Sequence, residues 1–137
     1  MAVRVGIDLA RPDDVEQVLA AHGERYLERV FTAREVGDCT TEHGVDAQRL
    51  AARFAAKEAA MKVLRPDGDA VPWPDVEVVR AAGGWVELEL HGAAAALAAR
   101  AGIADLAVSL THEDGLASAV VVAELSGGAS STTREGR

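Results

Sequence analysis

Residues 46–64 read DAQRLAARFAAKEAAMKVL, and the shape of this stretch decides what the remainder of the chain can do. Ala, Leu, Met, Arg, Lys, Gln and Glu are good helix formers, and neither Gly nor Pro interrupts them. At about 100° per residue, Leu50, Phe54, Met61 and Leu64 fall on one stripe, the side expected to face a core. Lys57 lies inside the same apolar arc, while Glu58 and Lys62 share its flank one helical turn apart. The Glu58–Lys62 spacing also fits an ordinary solvated pair. Lys57 is harder to explain, because a lysine on an apolar face needs an anion or a route to water. A helix offering a carboxylate and several cations at the edge of a core suits a bound phosphate and a metal.

Upstream, Val3, Val5, Ile7 and Leu9 alternate with Arg4, Gly6 and Asp8, a strand with one buried face. Asp8 then points away from the apolar set near the strand's end, where its simplest role is to begin a turn. Pro12, Asp13 and Asp14 open a helix, since proline suits the first position and acids the first turn. Gly23 breaks it, and a second piece, Glu24 to Val30, carries Arg25 and Arg29 one turn apart. Thr32 followed by Glu35 reads as a capping box. Polar residues Thr40 to Val45 form a loop before the long helix.

Downstream, Arg65 to Pro74 is a second loop. Val76 to Arg80 and Trp85 to Leu90 are strands joined through Ala81 to Gly84 as an antiparallel hairpin. An Ala-rich helix, Gly92 to Ala101, is stopped by Gly102. Leu106 to Thr111 and Leu116 to Leu125 are further strands, with His112 to Gly115 as the tight connection. From Ser126 the chain is polar (SGGASSTTREGR), which predicts a folded domain over 1–125 and a flexible C-terminal tail over 126–137. This order is α+β, with an antiparallel sheet packed around one long helix.

A length of 137 residues with 49% hydrophobic side chains fits one domain with a real core, filled mainly by small Ala and Val. Acidic residues outnumber basic ones 22 to 14, a net charge of −8, which argues against non-specific nucleic-acid binding. A single cysteine, Cys39, excludes an internal disulfide and fits a reducing compartment. It reads as a small core side chain rather than a nucleophile. The first residues alternate and carry charge, unlike a signal peptide or a membrane span, so a cytoplasmic location is expected.

The chemistry-bearing residues left over are Asp8, Glu58, Lys62 and His112. Two carboxylates with open water positions are a usual way to hold Mg²⁺ together with a substrate phosphate. A neighbouring cation neutralises charge building on a phosphate leaving group. Spacing alone does not bring Asp8 to Glu58, and His112 fits a turn as well as a phosphate. There is no Walker-type loop, dinucleotide fingerprint, cysteine pair or zinc-spaced histidine pair.

VGIDLA (5–10), RVFTAREV (29–36), RLAARFAAKEAAMKVL (49–64) and SLTHEDGLASAVVVAEL (109–125) together resemble the bacterial holo-(acyl carrier protein) synthases, the small single-domain 4′-phosphopantetheinyl transferases. WPDVEVVR (73–80) and ELHGAAAALAARAGI (89–103) match in order and spacing, and RFAAKEAAMK is highly specific. The resemblance implies the 4′-phosphopantetheinyl transferase fold and transfer of the 4′-phosphopantetheine arm of coenzyme A (CoA) to a serine of an apo acyl carrier protein, in a fatty-acid or polyketide pathway. The other product is adenosine 3′,5′-bisphosphate. It implies Mg²⁺ held by Asp8 and Glu58, with Glu58 also taking the serine proton directly or through a water. Lys62 would face the pyrophosphate, and Arg53, Lys57 and His112 the CoA phosphates. Members are typically homotrimers with sites shared between neighbours, so His112 and Glu58 would come from different subunits.

The chain departs from the family pattern at Ala10-Arg11-Pro12, where an aliphatic–acid–aliphatic run is usual, and at Arg65-Pro66-Asp67, where a Gly-rich loop is usual. The first helix carries Asp13, Asp14 and Glu16 where many members have basic residues for docking an acidic carrier. Arg25 and Arg29 remain as docking cations, so a less acidic carrier is expected. The competing readings are a non-catalytic homologue that binds carrier or CoA, and an unrelated structural subunit. Retention of Asp8, Glu58 and Lys62 together weighs against the first, because a binding-only module has no need of all three.

Overall fold

The structure is a computed structural model of the chain, and it describes residues 1–68 and 70–127. Helix α4 (Ala47–Leu64) is its axis. The Asp46 carboxylate caps it, accepting from the backbone N–H groups of Gln48 (2.9 Å) and Arg49 (3.4 Å). Arg65 ends it in the left-handed region, at φ 56°, ahead of Pro66.

Strands β1 (Ala2–Ala10), β6 (Ile103–Glu113) and β7 (Leu116–Leu125) form an antiparallel sheet in the order β1-β7-β6. Strands β4 (Val76–Arg80) and β5 (Val86–Leu90) form a separate antiparallel hairpin. Helices α1 (Pro12–His22), α2 (Glu24–Val30) and α3 (Ala33–Asp38) connect β1 to α4, and α5 (Gly92–Ala101) connects the hairpin to β6. The α+β class, with helices and antiparallel strands, is as the sequence implies, but the strands fall into separate sheets rather than one.

Alanine sets how closely these layers approach. Ala51, Ala52, Ala55, Ala56, Ala59 and Ala60 of α4 are all buried, and they meet Ala117, Ala119, Val121 and Ala123 of β7. The closest approach is at Gly6, where a Cβ would stand 2.1 Å from the carbonyl oxygen of Ala59. Only glycine fits there, and this contact fixes which face of β1 meets the helix.

That face is not the apolar one. Val3, Val5, Ile7 and Leu9 are 50–63% exposed, while Arg4, Gly6 and Asp8 face α4. Arg4 Nη1 donates to the Val63 carbonyl at 2.8 Å, and Asp8 meets Lys62. The expectation of a buried Val/Ile/Leu face is therefore corrected. The alternation was real, but the backbone-to-backbone contact at Gly6 turns the valines and leucine outward.

Other boundaries move. α4 is covered on nearly every side, so Leu50 and Leu64 are fully buried whereas Phe54 and Met61 are only partly so. The Thr40–Val45 loop contains a small hairpin of β2 (Thr40–Thr41) and β3 (Gly44–Val45). Asp8 is near the strand's end but does not begin a turn, since β1 continues to Ala10 opposite Ala117. His112 lies in β6 paired with Ala117, and the turn is confined to Asp114 and Gly115. The tail beyond residue 127 lies outside the described residues.

Candidate active site

Asp8 and Glu58, 50 positions apart in sequence, are brought together because β1 lies directly on α4. One oxygen of Asp8 receives Lys62 Nζ at 3.3 Å, and the same ammonium donates to the Ile7 carbonyl at 2.8 Å. The other oxygen, Oδ2, is buried without a hydrogen-bond donor among the described residues. Its neighbour is a second carboxylate. Burial, then the adjoining Asp8 carboxyl, pushes Glu58 up to about 7, and Lys62 pulls it back only in part. Two hard oxygen donors held together, one orphaned, fit a divalent cation such as Mg²⁺.

Glu58 also lines a groove with Leu9, Ala10, Arg11, Val15, Tyr26 and Phe54, about 450 Å³ in volume and mostly apolar. Tyr26 at its wall is pushed up to about 12 by burial and by the Glu58 charge. On the far side Tyr26 borders a smaller hollow with His22, Arg25 and Arg29. The two candidate docking cations are thus together, one side chain away from the acidic pair.

Arg53 and His112 meet elsewhere. They line a cavity of about 320 Å³ with Arg49, Arg80 and Trp85, between α4, the β4–β5 turn and β6. Arg53 is 3% exposed, yet its Nε and Nη2 have no hydrogen-bond partner among the described residues. A buried guanidinium with unused donors calls for an anion. Arg53 and Glu58 stand five residues apart, about 140° around the helix. In one chain the acidic pair and the basic cavity therefore open on different sides of α4.

Lys57 is the correction within the site. It is fully buried, and its anion is internal: Nζ lies 2.8 Å from Glu35 Oε1 and donates to the carbonyls of Trp73 (3.2 Å) and Val76. No CoA phosphate has access to it. Burial lowers the lysine's pKa while Glu35 opposes the shift. Glu35 is the capping-box acid, so one side chain closes α3 onto Thr32 N (2.8 Å), accepts Val78 N (2.7 Å) and neutralises Lys57. Beside it, Glu77, Glu89 and His91 cluster, but Glu77 is already held by the Thr32 hydroxyl (2.6 Å) and His91 (3.0 Å), with Arg34 nearby. That network clamps the hairpin to α3. Cys39 is buried and its thiol is pushed up to about 11 by that burial, which is no nucleophile.

A sequence model of the 4′-phosphopantetheinyl transferase superfamily matches residues 4–120. The chain belongs to that superfamily. Within it, the relatives are holo-[acyl-carrier-protein] synthases: that of Frankia casuarinae is 47% identical, covering 89% of this chain and 97% of its own. That of Moorella thermoacetica is 40% identical, covering 90% and 95%. Among solved transferases of this family, the synthase from Chronobacterium ammoniagenes, determined as a complex with CoA, superposes with a TM-score of 0.80 at 30% identity, covering 91% of this chain and 98% of that one. The acyl carrier protein synthase of Mycobacterium tuberculosis gives 0.67 at 33% identity over 88% and 96%.

Sequence reasoning missed Tyr26, Arg49, Arg80 and Trp85, which line these cavities. Arg49 stands one turn before Arg53, and that i,i+4 pair of cations was the one signal available. Arg80 and Trp85 come from the hairpin, and nothing local in the sequence places its turn beside α4.

Proposed function

We propose that this chain transfers the 4′-phosphopantetheine arm of CoA to a serine of an apo acyl carrier protein, at a Mg²⁺ site made by Asp8 and Glu58. The observation that carries this reading is the paired carboxylates, one with an orphaned buried oxygen and one with its proton held to about 7. When bound there, Mg²⁺ supplies charge neutralisation for the CoA pyrophosphate. Glu58 accepts the proton of the serine hydroxyl, directly or through a water. The serine oxygen forms its bond to the pantetheine-side phosphorus, and the bond from that phosphorus to the bridging oxygen breaks. Adenosine 3′,5′-bisphosphate leaves with the electron pair. Lys62, fixed on Ile7 O and Asp8, faces the charge that grows on the departing phosphate. Arg53, with unused donors, and His112 take CoA phosphate oxygens in the basic cavity.

Because that cavity and the acidic pair open on different sides of α4, we read the working form as a homotrimer whose sites are shared between neighbours. The exposed row Val3, Val5, Ile7 and Leu9 supplies an apolar face for such contacts. The carrier docks on Arg25 and Arg29. With Asp13, Asp14 and Glu16 on the preceding helix, a carrier less acidic than usual, of a fatty-acid or polyketide pathway, is the better fit. A cytoplasmic setting follows from these partners, and no helix among the described residues is long and apolar enough to cross a membrane.

The test is intact-mass analysis of a panel of apo carriers incubated with CoA, Mg²⁺ and the protein. Each modified carrier should gain one phosphopantetheine, and chelator should abolish the gain. Asp8→Ala and Glu58→Ala should each remove transfer while circular dichroism stays native. Wild-type rates from either variant would overturn the site. A clear preference for the most acidic carrier would overturn the docking assignment.

A further inference from the structure

Two depressions on this chain share a wall. The groove that holds Glu58 and the hollow that holds Arg25 and Arg29 are both lined by Val18 of α1 and Tyr26 of α2. Tyr26 is seated there by an edge-on contact with the buried ring of Phe31, 5.9 Å between centroids. Groove and hollow therefore make one continuous track, which runs from the acidic pair across an apolar ridge to the cations.

Charge is sorted by sign along that track. At the Glu58 end stands the exposed Asp14, with Asp13 and Glu16 beside it in a helix that has neither Lys nor Arg. Arg11, just ahead of the helix, is the one cation lining this groove. At the other end are His22, Arg25 and Arg29. The acids of α2 do not dilute them, because Glu24 and Glu28 line a separate groove with Leu27 and Phe31. Asp14, Arg25 and Arg29 make no ion pair among the described residues. Favouring the helix dipole explains an acid in the first turn of α1, and Asp13 already supplies one. It does not explain an unpaired carboxylate on the groove beside the reacting group, where charge orients one partner and repels others.

We propose that Asp14 is a specificity-determining residue for the carrier, taking a basic side chain next to the acceptor serine while Arg25 and Arg29 take acids farther along the same surface. This rests on the reading of Glu58 as the group that meets the serine. With the serine at Glu58, a residue flanking it lies over Asp14, and the surface beyond crosses Val18 and Tyr26 toward the cations. The partner is thus dipolar rather than merely less acidic: a Lys or Arg beside the serine, carboxylates away from it. A uniformly acidic carrier gains at Arg25 and Arg29 and is repelled at Asp14.

The experiment uses one apo acyl carrier protein in two forms, with Glu or Lys at a single exposed position next to the modified serine. Wild type modifies the Lys form with a kcat/KM about tenfold above the Glu form, the sum of a repulsion removed and an exposed pair gained. The difference lies in the KM for the carrier and shrinks at high salt. Asp14→Asn narrows it and Asp14→Lys inverts the order, with the KM for CoA unchanged in both. A merely structural Asp14 would instead lower both forms alike. Arg25→Gln combined with Arg29→Gln weakens both forms and leaves their order intact. Equal kcat/KM for the two forms, a wild-type preference for the Glu form, or an unchanged order in Asp14→Lys overturns the proposal alone. A wild-type protein that modifies neither form from CoA overturns the transfer reading beneath, and the proposal with it.

Discussion

Glu58 keeps its proton up to about 7 in the folded chain, whereas a glutamate in the unfolded chain loses it near 4.5. Between those values the fold binds more protons than the unfolded state, so stability falls as pH rises, and above about 7 the full penalty is present. Without metal, Glu58→Gln should therefore melt above wild type at pH 8 and converge with it by pH 4. Thermal melts across that range would check this, and a Gln variant less stable at pH 8 would contradict it. With metal the sign reverses, because a ligand that must deprotonate competes with the proton. Mg²⁺ should raise the wild-type melting temperature more at pH 8 than at pH 6, and should not do so in Glu58→Gln. Lys57 belongs to another class of charge. Removing one partner of a fully buried pair leaves the other uncompensated, so Lys57→Ala should cost about 3–5 kcal/mol in urea unfolding. Its folded fraction should retain wild-type affinity for CoA. A selective loss of CoA affinity at unchanged stability would put the lysine back beside a phosphate.

At the scale of elements, the site exists because one strand lies against one helix with no side chain between them. Gly6→Ala pushes a methyl into the Ala59 carbonyl, 2.1 Å away, and backbone offers no rotamer by which to yield. Overpacking of this kind costs about 1–3 kcal/mol. It should also separate Asp8 from Glu58, so the variant should lose Mg²⁺-dependent stabilisation more completely than its lowered melting temperature explains. Full Mg²⁺ response in a destabilised Gly6→Ala would uncouple the two. The same contact marks how far the sequence could be read. Helix α4, the Thr32–Glu35 box and the β4–β5 hairpin were legible because each depends on residues within a few positions of one another. The Asp8–Glu58 pairing came from family resemblance alone, since spacing gives no distance between a strand and a helix 50 residues later. Lys57 was misread for a related reason. Its polar partner, Glu35, looked fully employed as a capping acid, and one carboxylate serving cap, strand and lysine leaves no local mark.

For the whole molecule, the inverted face of β1 is the fact to be explained. Val5 pairs with Val122 and Ile7 with Val120 in the register of β1 and β7, so these side chains share one side of the sheet, and it is the side away from α4. An apolar sheet face of this kind is costly to leave in water and is expected to be covered. On the proposed shared-site reading, self-association covers it and brings the acidic pair of one copy to the basic cavity of another. Val5→Asp should therefore give a monomer by light scattering, with native circular dichroism and little transfer. A stronger test separates association from catalysis. Glu58→Ala and His112→Ala should each be nearly inactive alone, because every site in either assembly lacks one half. Unfolded together and refolded at equal amounts, they assort at random. A site is then intact when the first subunit brings Glu58 and its neighbour brings His112, which occurs at about one quarter of the interfaces. Activity should accordingly rise to roughly a quarter of wild type, whereas mixing without refolding should leave both variants inactive. If refolded mixtures gain nothing while each variant still assembles, both residues act within one chain, and the outward valines serve some other contact.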